Sequence, residues 1–100
     1  MSVRFVLDLR VKPGCDDDLR RAYAALRGRV EGRRGLLEHQ LCQSLDDPER
    51  WAVISEWASV EASEAWDRSD EHARLIGPMR ACFAEARSTK FQVHDAARQA

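Results

Sequence analysis

The sequence predicts an α+β fold: one four-stranded antiparallel sheet with helices on one face. Three observations predict it. Apolar residues alternate with period two in several separate segments. Segments with helical spacing stand between the first and second and between the third and fourth of these. Proline, glycine and aspartate mark the junctions.

The first segment, VRFVLDLRV over residues 3–11, places Val3, Phe5, Leu7, Leu9 and Val11 on one side and Arg4, Val6, Asp8 and Arg10 on the other. That is a half-buried strand. Lys12-Pro13-Gly14 ends it, because Pro13 has no N–H to donate and Gly14 accepts turn dihedrals. Asp16, Asp17 and Asp18 then open a helix, where acidic side chains cap free N–H groups and meet the positive end of the dipole. Leu19, Ala22, Tyr23, Leu26 and Val30 follow at helical spacing. Arg27, Arg29, Arg33 and Arg34 crowd the far end, and Gly32 and Gly35 close it.

Residues 36–45 read as a second strand with Leu37, His39, Leu41, Gln43 and Leu45 on one face. Asp46-Asp47-Pro48-Glu49 is a turn, and residues 51–57 form a third strand with Trp51, Val53, Ser55 and Trp57 on one face. So short a connection implies an antiparallel hairpin. Ser59 is the expected N-cap of a short helix through Asp67 that buries Trp66. Ser69 or Asp70 restarts a helix carrying His72, Leu75, Ile76, Met79 and Phe83, with a kink or break expected at Pro78. Residues 88–94 form the last strand, with Thr89, Phe91 and Val93 on one face.

The order strand, helix, strand, strand, helix pair, strand is the ferredoxin-like split βαβ arrangement. It occupies residues 1–95 as a single domain, and residues 96–100 are expected to fray. Helices on one face leave the other face of the sheet bare. A chain of 100 residues has nothing left to cover it except a second copy, so a homodimer is expected.

Composition narrows the function classes. Sixteen Lys+Arg against seventeen Asp+Glu argue against nucleic acid or an anionic membrane surface as partner, since both select a basic excess. No apolar run approaches the roughly 18 residues of a membrane span, and the N-terminus has no signal-peptide pattern. Cys15, Cys42 and Cys82 are odd in number and widely spaced, which fits reduced thiols in the cytoplasm better than a disulfide framework or a zinc site. Phosphate-binding glycine loops, H-E-x-x-H, G-x-S-x-G and dinucleotide fingerprints are lacking.

Several segments resemble the antibiotic biosynthesis monooxygenase family of dimeric α+β barrels. They are V-K-P-G after strand one, R-R-G-L-L-E-H-Q-L opening strand two, D-D-P-E-R-W before strand three, and the run ISEWASVEASEAWDRSDEHARL from Ile54 to Leu75. The match covers residues 3–94 in order. The resemblance implies a pocket between sheet and helices in each protomer. It also implies a cofactor-independent oxidation of a small electron-rich aromatic, anthrone-like or quinol, by dioxygen, with no metal, flavin or haem.

Carried over residue by residue, the resemblance implies that Phe5, Leu7 and Leu9 floor the pocket. Trp57, Met79 and Phe83 extend its apolar lining. Trp66 offers a stacking surface and an N–H donor, against a plain role as core anchor. His72 follows S-x-x as the family's recurrent histidine does, and it could accept a substrate proton, against a plain capping role. His39 shares a strand face with Leu41 and could reach the pocket, against a satisfied polar or dimer contact. A haem-binding branch of the same fold, and a non-catalytic or cyclase-like dimeric domain, are the alternatives. Haem-degrading members share a Trp at the Trp66 position. Leu7, however, stands where they have an Asn, and Leu75 where they have the axial His, which counts against haem.

Overall fold

In a computed structural model that describes residues 1–98, β1 (Val3–Val11) has its expected bounds. Its odd-numbered residues face the helices and its even-numbered residues face away. Helix α1 (Asp16–Val30) buries Leu19, Tyr23, Leu26 and Val30 along one stripe. Its N-cap is Cys15, which makes no side-chain cap bond. The aspartates that were expected to cap it pair instead one turn along, Asp17 with Arg20 and Asp18 with Arg21. They remain in the first turn, where the dipole favours them.

Gly32 and Gly35 take positive φ, 81° and 86°. At Gly35 a side chain would also meet the Cβ of Ala62 at 2.6 Å, so glycine is required there by conformation and by space.

Strands β2 (Leu36–Gln43) and β3 (Arg50–Trp57) form the expected hairpin. The register slips between Leu36 and Glu38. Leu36 takes the core position opposite Trp57, and Leu37, expected beside His39, is 56% exposed. Leu45, expected on the same apolar face, lies beyond the strand and is fully exposed. A bulge moves every residue before it to the other face, and alternation alone does not reveal one.

Helices α2 (Val60–Asp67) and α3 (Asp70–Arg80) have the predicted serine caps: Ser59 accepts from the Ala62 N–H and Ser69 from the His72 N–H. The expected break at Pro78 does not occur, and α3 runs through it to Arg80. Pro78 sits so close to the C-terminus that one ladder bond is lost. The N–H groups of Ala81 and Cys82 then close the end on Gly77 and Met79.

β4 (Phe83–Gln92) begins five residues before its predicted start, so Phe83 belongs to a strand and not to the helix. The sequence FAEAR has helical character, and pairing along β1 overrides it.

The sheet order is β2-β3-β1-β4, all antiparallel neighbours. β3 is inserted between the parallel strands β1 and β2, which is the ferredoxin-like arrangement. The core lies between this sheet and the helices, around Leu9, Leu19, Leu26, Val30, Trp51, Trp57 and Met79. On the opposite face Val6 and Ile54 stand side by side, flanked by ion pairs of Asp8 with Arg50 and of Arg4 with Glu56. Ser2, Arg4 and Arg98 converge on the buried Glu56 carboxylate. The Ser2 hydroxyl and then the two guanidiniums hold it below the usual carboxylate range. Residues 93–98 are irregular, and Arg98 among them bonds Glu56; of the tail 96–100 expected to fray, residues 99–100 lie outside the described residues.

Candidate active site

Between the helix face of the sheet and α2–α3 lies a cavity of about 650 Å³. Its position follows from side-chain size along the strands. Near Trp51 the sheet is sealed by α1, whose Arg20 guanidinium lies over the indole at 5.2 Å. Leu9, paired with Trp51, is therefore core and does not reach the cavity, contrary to expectation. Farther along, Val53 and Ser55 are smaller, β4 offers Ala84, Ala86 and Ser88, and the space stays open. Phe5, Leu7, His39, Trp57, Trp66, His72, Met79 and Phe83 all line it. Leu75, at the position of the axial His in haem-degrading relatives of the resemblance, packs against the core instead.

Trp66 and His72 come together because Arg68 and Ser69 turn the chain between α2 and α3. The imidazole meets the indole edge-on, centroids 5.4 Å apart and planes 76° inclined. Arg33 covers the same indole at 4.6 Å and is itself fixed by Glu71 at 3.0 Å. Trp66 is thus both core anchor, 4% exposed, and cavity wall.

Burial lowers the pKa of His72 below its ordinary value, with Asp67 opposing and Arg80 reinforcing the shift. At neutral pH the ring is therefore neutral and holds a free lone pair. Its Nε2 lies 4.0 Å from Asp67 Oδ1, so a proton taken up there meets a counter-charge.

His39 stands on β2 opposite Ser55. Burial, helped by His72, pushes its pKa down to about 4. Its Nδ1 is 2.9 Å from the Tyr23 hydroxyl, and burial pushes that phenol up to about 12. Both groups are neutral over the physiological range.

Sequence reasoning placed Tyr23 in the helix core without its polar partner. The available signal was the residue type, since a buried tyrosine hydroxyl seeks a hydrogen bond. Arg33, read as a helix-terminal cation, and Lys90, whose Nζ lies 5.4 Å from the Phe5 ring at the cavity edge, were also missed. Nothing in their spacing signals those contacts.

The arrangement suits a flat apolar ligand with one or two oxygen atoms. It offers an apolar floor, aromatic walls and two neutral imidazoles of different surroundings, with Asp67, Arg80, Glu85 and Lys90 also in the lining. Among the described residues no group of three His, Cys, Asp or Glu side chains could hold a metal ion, and no helix is long and apolar enough to cross a membrane.

A sequence profile of the family described as antibiotic biosynthesis monooxygenase matches residues 2–77. The chain is 38% identical over 91 residues to a 42.8 kDa protein in the whiE locus of Streptomyces coelicolor, and 34% identical over 91 residues to protein SchA of Streptomyces halstedii. Those matches take in 91% of this chain but 23% and 24% of the relatives, so the chain spans about a quarter of their length. In three dimensions it superposes on a conserved protein from Methanosarcina mazei with TM-score 0.88 at 19% identity, covering 92% of each chain. It superposes on SnoaB, a cofactor-independent oxygenase from Streptomyces nogalater, with TM-score 0.85 at 16% identity, covering 98% of each.

Proposed function

The chain belongs to the antibiotic biosynthesis monooxygenase family, and from that membership we propose that it is a cofactor-independent monooxygenase acting on a small electron-rich aromatic, anthrone-like or quinol, with dioxygen. The observation that carries this reading is the pairing of Trp66 with a neutral His72 in one wall of an apolar cavity. The name of the SnoaB neighbour and the Streptomyces relatives support it.

In the proposed reaction His72 removes a proton from the bound substrate, and Asp67 stabilises the imidazolium that forms. The resulting anion is electron-rich enough to reduce dioxygen directly. For an anthrone, one oxygen atom becomes the new carbonyl of the product and the other leaves in water. The protein supplies orientation against Phe5 and Leu7, donors for the anion, and exclusion of bulk water.

The bare sheet face around Val6 and Ile54 is the proposed homodimer surface, and three unpaired thiols suit the cytoplasm. The test is oxygen uptake by chelator-treated protein given anthrone and hydroquinone panels. Turnover above the background rate that falls on His72→Gln supports the proposal. Uptake at background for every substrate overturns it and leaves a binding or accessory domain.

A further inference from the structure

We propose that Tyr23 positions His39 as a neutral hydrogen-bond donor: the Tyr23 hydroxyl donates to Nδ1, which leaves the proton of the ring on Nε2, available to the phenolate or enolate oxygen of a bound aromatic. The substrate class rests on the oxygenase reading above; the geometry does not.

The geometry comes first. Tyr23 sits on the buried stripe of α1, 7% exposed, and its hydroxyl is 2.9 Å from His39 Nδ1. The two rings are tilted by 31° with centroids 5.6 Å apart, so the contact is made through the hydroxyl and not by stacking. His39 lines the cavity, whereas Tyr23 does not. The tyrosine therefore acts on a ligand through the histidine.

The direction of the bond follows from chemistry. A neutral phenol is a strong donor and a poor acceptor, while an imidazole nitrogen is a good acceptor. With Nδ1 accepting, the neutral ring carries its hydrogen on Nε2. The groups that act on His39 and its partner are Tyr23 and Arg27 from α1, His72 from α3 and Cys42 from β2. His39 and Tyr23 both stay uncharged between the low pKa of the one and the high pKa of the other.

A neutral donor fits this reaction better than a charged one. An imidazolium at His39 would return a proton to the anion that His72 has just generated. A neutral Nε2–H stabilises the same oxygen without neutralising it. The two histidines thus divide the work: His72, beside Asp67, takes a proton, and His39, beside Tyr23, keeps one.

Nitrogen-15 spectra of the histidine rings test this without any variant. At pH 7 His39 is expected as the Nε2–H tautomer. In Tyr23→Phe the share of the Nδ1–H tautomer rises, while the titration midpoint stays low, because burial and His72 set it. Binding of dithranol (1,8-dihydroxyanthrone) under anoxic conditions, followed by tryptophan fluorescence, is expected to weaken several-fold in Tyr23→Phe and more in His39→Leu, which has no donor, while naphthalene binding changes little. A His39 found as the Nδ1–H tautomer or as imidazolium at pH 7, or dithranol binding that ignores His39→Leu, overturns the inference. Correct tautomer and His39-dependent binding without oxygen turnover would overturn the oxygenase reading alone.

Discussion

The His72 ring abuts the Trp66 indole edge-on, 5.4 Å between centroids, and the indole is held in turn by the Arg33 guanidinium at 4.6 Å. Trp66 is therefore immobilised by two side chains before any ligand arrives. That rigidity suits the proposed role of Trp66 as a fixed wall against which a flat substrate is oriented.

The first prediction separates these two functions of Trp66. Trp66→Phe keeps most of the aromatic packing and removes the N–H. Turnover is expected to fall by on the order of 10-fold to 100-fold, with a small change in thermal midpoint. Loss of folding without any effect on the turnover of the folded fraction would assign Trp66 to the core alone.

His72 is expected to set the acid limb of the pH–rate profile. Burial lowers its pKa, so the limb should lie below pH 6.5 (the ordinary histidine value), with the rate falling as pH falls. His72→Gln should abolish that limb and lower the rate about 10²-fold or more. Asp67→Asn, which removes the one charge opposing the shift, should move the limb further down.

Stability should also fall in acid, through His39. Its folded pKa of about 4 lies below the unfolded value of 6.5. Protons then bind the unfolded chain more readily, and stability present above pH 6.5 is lost progressively toward pH 4. The loss is on the order of 2 kcal/mol after discounting for partial exposure. Denaturant unfolding at pH 7 and pH 4.5 should show it, and His39→Gln should make the pH dependence shallower. An equally steep dependence in that variant would place the acid sensitivity elsewhere.

Ile54 tests the bare face of the sheet. It pairs with Val6 on the side away from the helices, and a charge there would oppose burial against a second copy. Light scattering is expected to give about twice the 11.4 kDa chain mass for the native protein and one chain mass for Ile54→Arg. A native monomer would contradict the dimer.

The fold was legible because its signals are local. Alternation in β1 and β3, the serines at 59 and 69, and glycines at 32 and 35 each act within a few residues. The misses are tertiary. The bulge that turns Leu37 outward depends on the pairing with β3, and the early start of β4 depends on the pairing with β1. The cavity was expected only through the family resemblance, since an apolar strand face by itself does not distinguish a pocket from a packed core. Its closed end was not legible, because whether Leu9 is floor or core depends on Trp51 and Arg20 meeting above it. The Tyr23–His39 bond joins residues from a helix and a strand, and neither position alone announces the other.

In the proposed reaction the chain's own side chains suffice for oxygenation. The most direct measurement is anaerobically prepared, chelator-treated protein mixed with dithranol and ¹⁸O₂, with the product examined by mass spectrometry. One ¹⁸O atom is expected in the new carbonyl, at a rate above the protein-free control and lost in His72→Gln. Incorporation equal to the control, or activity that appears only on addition of a metal or haem, would contradict it.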